Sequence, residues 1–242
     1  MKDLIFKVKS NVEIARNTYE MVLCGDCSDI FCGQFVNIKI DGFYLRRPIS
    51  VCNVEGDTLT LIYKVVGKGT EAMAKMAGGE ELLTLTGLGN GYDLEKSGDA
   101  PLLVGGGAGV PPMYLLCREL VKLGKKPTVI LGFGSADEVF YEEEFKALGA
   151  TVLVTTVDGS YGIKGFVTDA LAGLTPSHFY TCGPEPMLKA LYNATATSGQ
   201  FSFEERMGCG FGACMGCSCK TKYGNKRICK EGPVLSKEEI IW

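Results

Sequence analysis

Five of the eleven cysteines in this 242-residue chain are crowded between Cys209 and Cys229. The first residues, MKDLIFKVKSNVEIA, alternate apolar and charged side chains, so no export signal is read there. Clustered thiols in such a chain point to a metal site rather than to disulfides. Cys209 and Cys214 enclose four residues, and Cys214 and Cys217 enclose two. This C-x4-C-x2-C run is the ligand spacing of plant-type [2Fe–2S] proteins, which add a distant fourth thiolate, here best met by Cys229. The intervening Gly210, Gly212 and Gly216 permit the tight wrap such a centre needs. The alternative is a zinc knuckle with four cysteine ligands, although those usually use two C-x2-C pairs and only one is present. Cys219 blurs the count. It lies so near Cys217 that ligation would strain the loop, and it is read as a non-ligand.

Only one histidine, His178, is available, which argues against a histidine-based triad or a multi-histidine metal centre. A net charge of −3 argues against a nucleic-acid partner. No run of about 18 apolar residues occurs, so no membrane span is expected, and a soluble, cytoplasmic protein is. Hydrophobic residues make up 46% and charged residues 22%, the balance of an ordered globular chain. Bound cofactors, more than side chains, are expected to carry the chemistry.

The chain divides into three stretches. Residues 1–97 hold short apolar or alternating runs (Ile5–Val8, Thr18–Leu23, Phe35–Ile40, Thr58–Val65, Glu81–Leu85) separated by Gly, Asp and Asn, which predicts an antiparallel barrel or sandwich. Residues 98–202 alternate strand-like runs with helical ones. Pro101–Val104, Thr128–Gly132, Thr151–Thr155 and His178–Tyr180 are the strands, and Pro111–Leu123 and Glu142–Leu148 the helices. This predicts a parallel, doubly wound α/β unit. Residues 203–242 form a Cys- and Gly-rich tail.

Two stretches invite nucleotides. Gly105, Gly106, Gly107 and Gly109 follow a strand and open a helix, where free amides attract phosphate, although a plain strand–helix turn looks the same. Cys182-Gly183-Pro184 makes a second turn at the carboxyl edge of the sheet, where open α/β sheets bind ligands. Gly132–Glu138 ends a strand with the acids Asp137 and Glu138 and no base, which favours NADH over NADPH. In the first stretch, Arg46-Arg47-Pro48-Ile49-Ser50 is expected between two strands, with a guanidinium and a hydroxyl held toward one diphosphate by the fixed proline. Val66–Thr70 precedes a short helix and offers a second anion contact.

Arg47-Pro48-x-Ser50, Gly69-Thr70, Gly105–Pro112 and Cys182-Gly183-Pro184 occur in an order that resembles the ferredoxin–NADP reductase superfamily. With Leu88–Tyr92 and Glu205–Cys217 the resemblance narrows to the electron-transfer subunits of class 1B dihydroorotate dehydrogenases, over essentially the whole chain. It implies an FAD-binding barrel, a Rossmann-like NAD domain, a C-terminal [2Fe–2S] loop and an FMN-containing catalytic partner, two copies of each. By position, Arg47, Pro48, Ile49, Ser50, Tyr63, Lys64, Gly69 and Thr70 would contact FAD, and Cys209, Cys214, Cys217 and Cys229 would hold the cluster. Gly208 and Ala108 depart from the family pattern without touching the ligands. The implied mechanism is hydride from NADH to FAD, then single electrons to the cluster, with Cys182 either lining the nicotinamide–flavin contact or simply buried. Two rivals remain: the small subunit or reductase of another NAD(P)H-dependent flavin–iron–sulfur complex, and a non-enzymatic zinc- or redox-responsive regulator.

Overall fold

The computed structural model describes all 242 residues. The first six strands are β1 (Lys2–Ala15), β2 (Thr18–Cys24), β3 (Phe35–Ile38), β4 (Arg47–Glu55), β5 (Thr58–Lys64) and β6 (Glu81–Leu88), with α1 (Lys68–Ala74) between the last two. They close an antiparallel barrel in the order β1-β2-β5-β4-β3-β6. Alternation drives this: along β6 every second residue is buried, and Phe6, Met21, Leu23, Val51, Leu59 and Leu61 fill the interior with no exposed surface. Arg47–Ser50, expected between strands, instead begins β4. Pro48 is accommodated as its second residue, close to the strand end where a missing amide disturbs the ladder least.

The second unit runs β7 (Leu102–Gly106), α2 (Pro111–Lys122), β8 (Thr128–Phe133), α3 (Glu142–Ala147), β9 (Thr151–Thr156), β10 (Ile163–Lys164), β11 (Phe179–Cys182), α4 (Glu185–Ala194) and β12 (Gly199–Ser202). Its central strands are buried, as a parallel sheet covered on both faces requires. The sheet order, β10-β9-β8-β7-β11-β12 with one strand of the tail beyond β12, reverses direction between β7 and β11, and that switch point opens a crevice at the carboxyl ends of both strands.

The tail is more than an appendage. After a small hairpin of β13 (Ser218–Thr221) and β14 (Gly224–Arg227), β15 (Val234–Ser236) pairs antiparallel with β12 and completes the sheet. Asn90, from the barrel's exit loop, is bonded to this segment twice: its side-chain NH₂ donates to Val234 O (2.7 Å) and its carbonyl accepts from Val234 N (3.1 Å). One apolar cluster joins all three parts, with Phe35 and Leu88 from the barrel, Phe179 and Phe201 from the sheet, and Cys217, Ile228 and Cys229 from the tail. Sequence pattern did not show this strand, because three residues are too short a run to carry a period. No helix is long and apolar enough to cross a membrane.

Phe201 has no exposed surface and meets Phe179 edge-to-face at 5.2 Å. Phe201→Ala should lower stability by about 3–5 kcal/mol, read from the urea midpoint. A loss below about 1 kcal/mol would show that the cluster collapses around the gap and does not depend on this ring.

Candidate functional site

A cavity of about 380 Å³ lies between the barrel, the glycine turn and the tail. Arg47, Pro48, Ile49 and Ser50 line it from β4, Tyr63 and Lys64 from β5, and Thr70 from α1. The two neighbouring arginines, alike in sequence, part company here. Arg46 is spent on Asp3 in a forked pair at 2.8 Å. Arg47 instead lies 4.9 Å from the centre of the Phe43 ring and bonds only the Leu45 carbonyl. A Cβ on Gly69 would come within 2.0 Å of Arg47 Nε, so glycine is what lets the guanidinium lie flat against that turn. The fork is thus pre-set beside the cavity with no carboxylate on it, as a diphosphate site requires. Tyr63 is fixed by its hydroxyl donating to Asn11 Oδ1 (2.9 Å) and by stacking on Tyr19. This chain's residues therefore fit a flavin dinucleotide. Arg47→Ala should weaken FAD binding about ten- to a hundredfold, the range of a lost charge-assisted contact, measured by flavin release on dilution. Unchanged retention would remove Arg47 from the diphosphate site.

Sequence reasoning missed one wall. Phe203, Glu204, Glu205 and Met207 also line this cavity, so the residues just ahead of Cys209 enter the flavin site. The Glu205-Arg206-Met207 run before Cys209 was the available signal. Glu204 is exposed at the cavity mouth, and desolvation by the surrounding protein raises its carboxyl above the usual carboxylate range.

A second cavity, about 510 Å³, sits at the switch point. Gly106, Gly107 and Pro184 line it together with Gly132, Gly134, Glu138 and Thr155. Gly105 lies beneath the turn, and a Cβ on Gly109 would come within 2.2 Å of Cys182 O, so the two glycine turns touch through backbone. Gly183 belongs to a third, separate cavity beside Glu204. The Cys182 thiol lines none of the three. It is buried in the core, and desolvation, followed by the nearby Glu204 charge, raises it well above a normal thiol, so burial is its observed role.

The strand end at Asp137 and Glu138, free of bases in sequence, receives two in space. Arg16 reaches Asp137 at 2.9 Å and Glu138 at 2.8 Å, and Lys64 reaches Glu138 at 2.8 Å. Both cations come from the barrel, more than 70 residues away in sequence. Lys64 first and Arg16 second, against some desolvation, bring the Glu138 carboxyl down to about 2. A depressed carboxyl contributes stability above its unfolded value near 4.5 and loses it as pH falls toward 2. Glu138→Gln should therefore lower Tm at pH 7, and the difference should shrink below pH 4.5 and vanish near pH 2. A pH-independent difference would assign the effect to packing.

In the tail, Cys209 Sγ accepts the amides of Ala213 (3.2 Å) and Cys214 (3.5 Å), and Cys217 Sγ accepts that of Cys229 (3.4 Å). Gly210 and Gly212 take left-handed backbone to aim these amides inward. Desolvation works to raise the Cys209 thiol, but the amides of Cys214, Phe211 and Ala213 outweigh it and bring it down to about 6. Cys229 is pushed up to about 12 by burial and then by its neighbour Cys217. Cys209 interacts with Cys214 and Cys217 with Cys229, and Cys209 also acts on Cys229, so these thiols form one connected group. No three side chains gather around a single point as a mononuclear ion needs. The C-x4-C-x2-C spacing with Cys229 as a distant fourth thiol suits two irons with two thiolates each. Cys219 stands apart on β13, half-buried against the third cavity with Lys220 and Thr221. Asn37 of β3 donates to Cys209 O (3.3 Å), tying the loop to the barrel.

A barrel with a dinucleotide cavity, a switch-point cavity and a thiolate loop define an electron-transfer reductase. Comparison with known proteins narrows this. Residues 204–241 match the iron–sulfur cluster binding domain of dihydroorotate dehydrogenase B, and residues 103–193 match the oxidoreductase NAD-binding domain. The chain is 48% identical to the electron transfer subunit of dihydroorotate dehydrogenase B (NAD(+)) from Fusobacterium nucleatum, covering 96% of each. It is 46% identical to that of Bacillus pumilus, covering 99% of this chain and 98% of that one. Among solved structures, a chain of the NADH-dependent reduced ferredoxin-NADP oxidoreductase superposes with a TM-score of 0.90 at 28% identity, covering 98% of this chain and 90% of that chain. Phthalate dioxygenase reductase shares the fold, with a TM-score of 0.65 at 19% identity, covering 79% of this chain and 64% of that chain. The chain belongs to the family of dihydroorotate dehydrogenase B electron-transfer subunits, oxidoreductase components with an NAD-binding domain and an iron–sulfur domain.

Proposed function

We propose that the chain carries electrons from NADH, through FAD and one [2Fe–2S] cluster, to an FMN-containing subunit that interconverts dihydroorotate and orotate in pyrimidine biosynthesis. The observation that carries this reading is continuity. Ala108, in the turn of the NAD cavity, lines the flavin cavity, and so does Met207, two residues before Cys209. When bound, a flavin accepts a hydride pair and releases electrons singly, which lets a nicotinamide serve a one-electron cluster. The chain's own residues bind and orient. Arg47 and Ser50 hold the diphosphate side, with Pro48, Ile49, Tyr63 and Lys64 as the wall and Gly69 and Thr70 as the turn beneath. Gly106 and Gly107, with Pro184, leave room for the nicotinamide nucleotide, while Gly105, Gly109 and Gly183 let the two turns that flank it pack closely. Cys209, Cys214, Cys217 and Cys229 hold the cluster. Residues 1–97, 98–202 and 203–242 act as the three working units.

NADH is preferred to NADPH, because Arg16 and Lys64 are already paired to Asp137 and Glu138, and Asp158 follows Val157 at the cavity edge. The name of the relatives as electron transfer subunits supports transfer to a partner, here proposed as an assembly with two copies of each subunit. Thiolate ligation suits the reducing cytoplasm.

Serine at any of the four ligand positions should lose or strongly perturb the cluster while FAD and its reduction by NADH largely persist. Cys219→Ser should leave iron per chain and the reduced-state EPR signal unchanged. Loss of the signal in Cys219→Ser with retention in Cys229→Ser would reassign the fourth ligand. Zinc in place of iron in the purified protein would end the electron-transfer reading.

A further inference from the structure

Along β3 the side chains divide between two surfaces. Val36 and Ile38 belong to the barrel core, whereas Phe35 and Asn37 face the tail. Phe35 borders the flavin cavity and packs in the cluster that buries Cys217 and Cys229. Asn37, one step further along the same face, is 1% exposed and meets the start of the cysteine loop: its Nδ2 donates to Cys209 O at 3.3 Å. Its backbone is anchored too, since Asn37 O accepts from Arg46 Nη1 (3.4 Å), and that guanidinium is forked on Asp3. On the neighbouring strand, Phe35 pairs with Leu88 but Asn37 with Leu85, so β6 carries one extra residue at this point. Bulges of this kind re-aim side chains, and this one lies where the face meets the tail.

An amide is an unfavourable choice for so buried a position. Asn37 Oδ1 has no hydrogen-bond partner, a burden that a leucine filling the same space would not carry. What leucine could not supply is the donor, and the loop is shaped around it. Gly210 takes φ +79°, and a Cβ there would come within 2.3 Å of Asn37 Nδ2. With its carbonyl turned out onto Asn37, the chain after Cys209 curls back, and the amides of Ala213 (3.2 Å) and Cys214 (3.5 Å) reach Cys209 Sγ. Hydrogen bonds to the sulfurs of an iron–sulfur centre are among the levers that set its reduction potential.

Resting on the iron–sulfur reading above, we propose that Asn37 is a positioning residue for the cluster: by holding the Cys209 carbonyl outward, it keeps the Ala213 and Cys214 amides on Cys209 Sγ and so raises the potential at which the centre accepts an electron. The sign follows from charge. A reduced centre carries one more negative charge than an oxidised one, and amide donors on its sulfur stabilise that form. The same strand thus borders the flavin cavity through Phe35 and tunes the acceptor through Asn37.

The test uses protein purified with FAD and cluster. Asn37→Leu keeps the volume of the side chain and Asn37→Ala avoids any clash; both remove the donor. Anaerobic redox titration gives the cluster potential from the EPR signal and the flavin potential from visible absorbance. Hydrogen exchange of residues 210–214 is followed by mass spectrometry. Both variants should shift the cluster to lower potential and leave the flavin couple in place. Exchange of the segment should quicken about 2- to 12-fold, the range for one lost hydrogen bond. Loss of iron with FAD and its reduction by NADH retained would also support the positioning role. An unchanged cluster potential in both variants, equal shifts at cluster and flavin, or loss of both cofactors would overturn this inference and leave the iron–sulfur reading standing. A parent protein without an iron–sulfur centre would overturn that reading and this inference together.

Discussion

A flavin and a cluster exchange electrons only when held close, and here one packed apolar cluster sets that closeness. Phe35 faces the flavin cavity and also belongs to the cluster that buries Cys217 and Cys229. Two of the proposed thiolate ligands are therefore packed in the same cluster as a residue of the flavin wall. β15 completes the arrangement by locking the far end of the tail into the sheet next to β12. Stability of the fold and spacing of the cofactors become the same property.

The second constraint is the seam between barrel and sheet. It is held by polar contacts whose partners are far apart in sequence: Arg16 and Lys64 on Asp137 and Glu138, Arg118 on the Val54 carbonyl (2.8 Å), and Tyr141 on Glu20 (2.6 Å). Glu138 is central, since it lines the switch-point cavity while its carboxylate holds a lysine that lines the flavin cavity. Exposed ion pairs contribute little stability singly. A shared carboxylate with two cations and the Gly134 amide is better fixed, and it holds the two nucleotide cavities in register.

Much of this was legible in sequence because it rests on local rules. Strand alternation, the glycine turns, the proline at the start of α2 and the cysteine spacing are all short-range patterns, and each located its element. What escaped depends on tertiary placement. Two adjacent arginines look identical until Asp3 claims one of them. Arg16 could not be seen beside Asp137, because the contact spans 121 positions of chain. Cys182 sits at the expected turn, but its thiol points into the core, a direction that strand-end composition does not specify.

The central claim is an ordered path from nicotinamide through flavin to cluster within this one chain. Anaerobic mixing of the loaded protein with NADH, followed by rapid freezing, tests it most directly. Visible flavin bleaching and the EPR signal of the reduced [2Fe–2S] centre are read from the same samples. The account predicts that flavin bleaching leads and the cluster signal follows, in the absence of any other protein. A cluster signal that rises before the flavin bleaches, or one that appears only after a second protein is added, would contradict it.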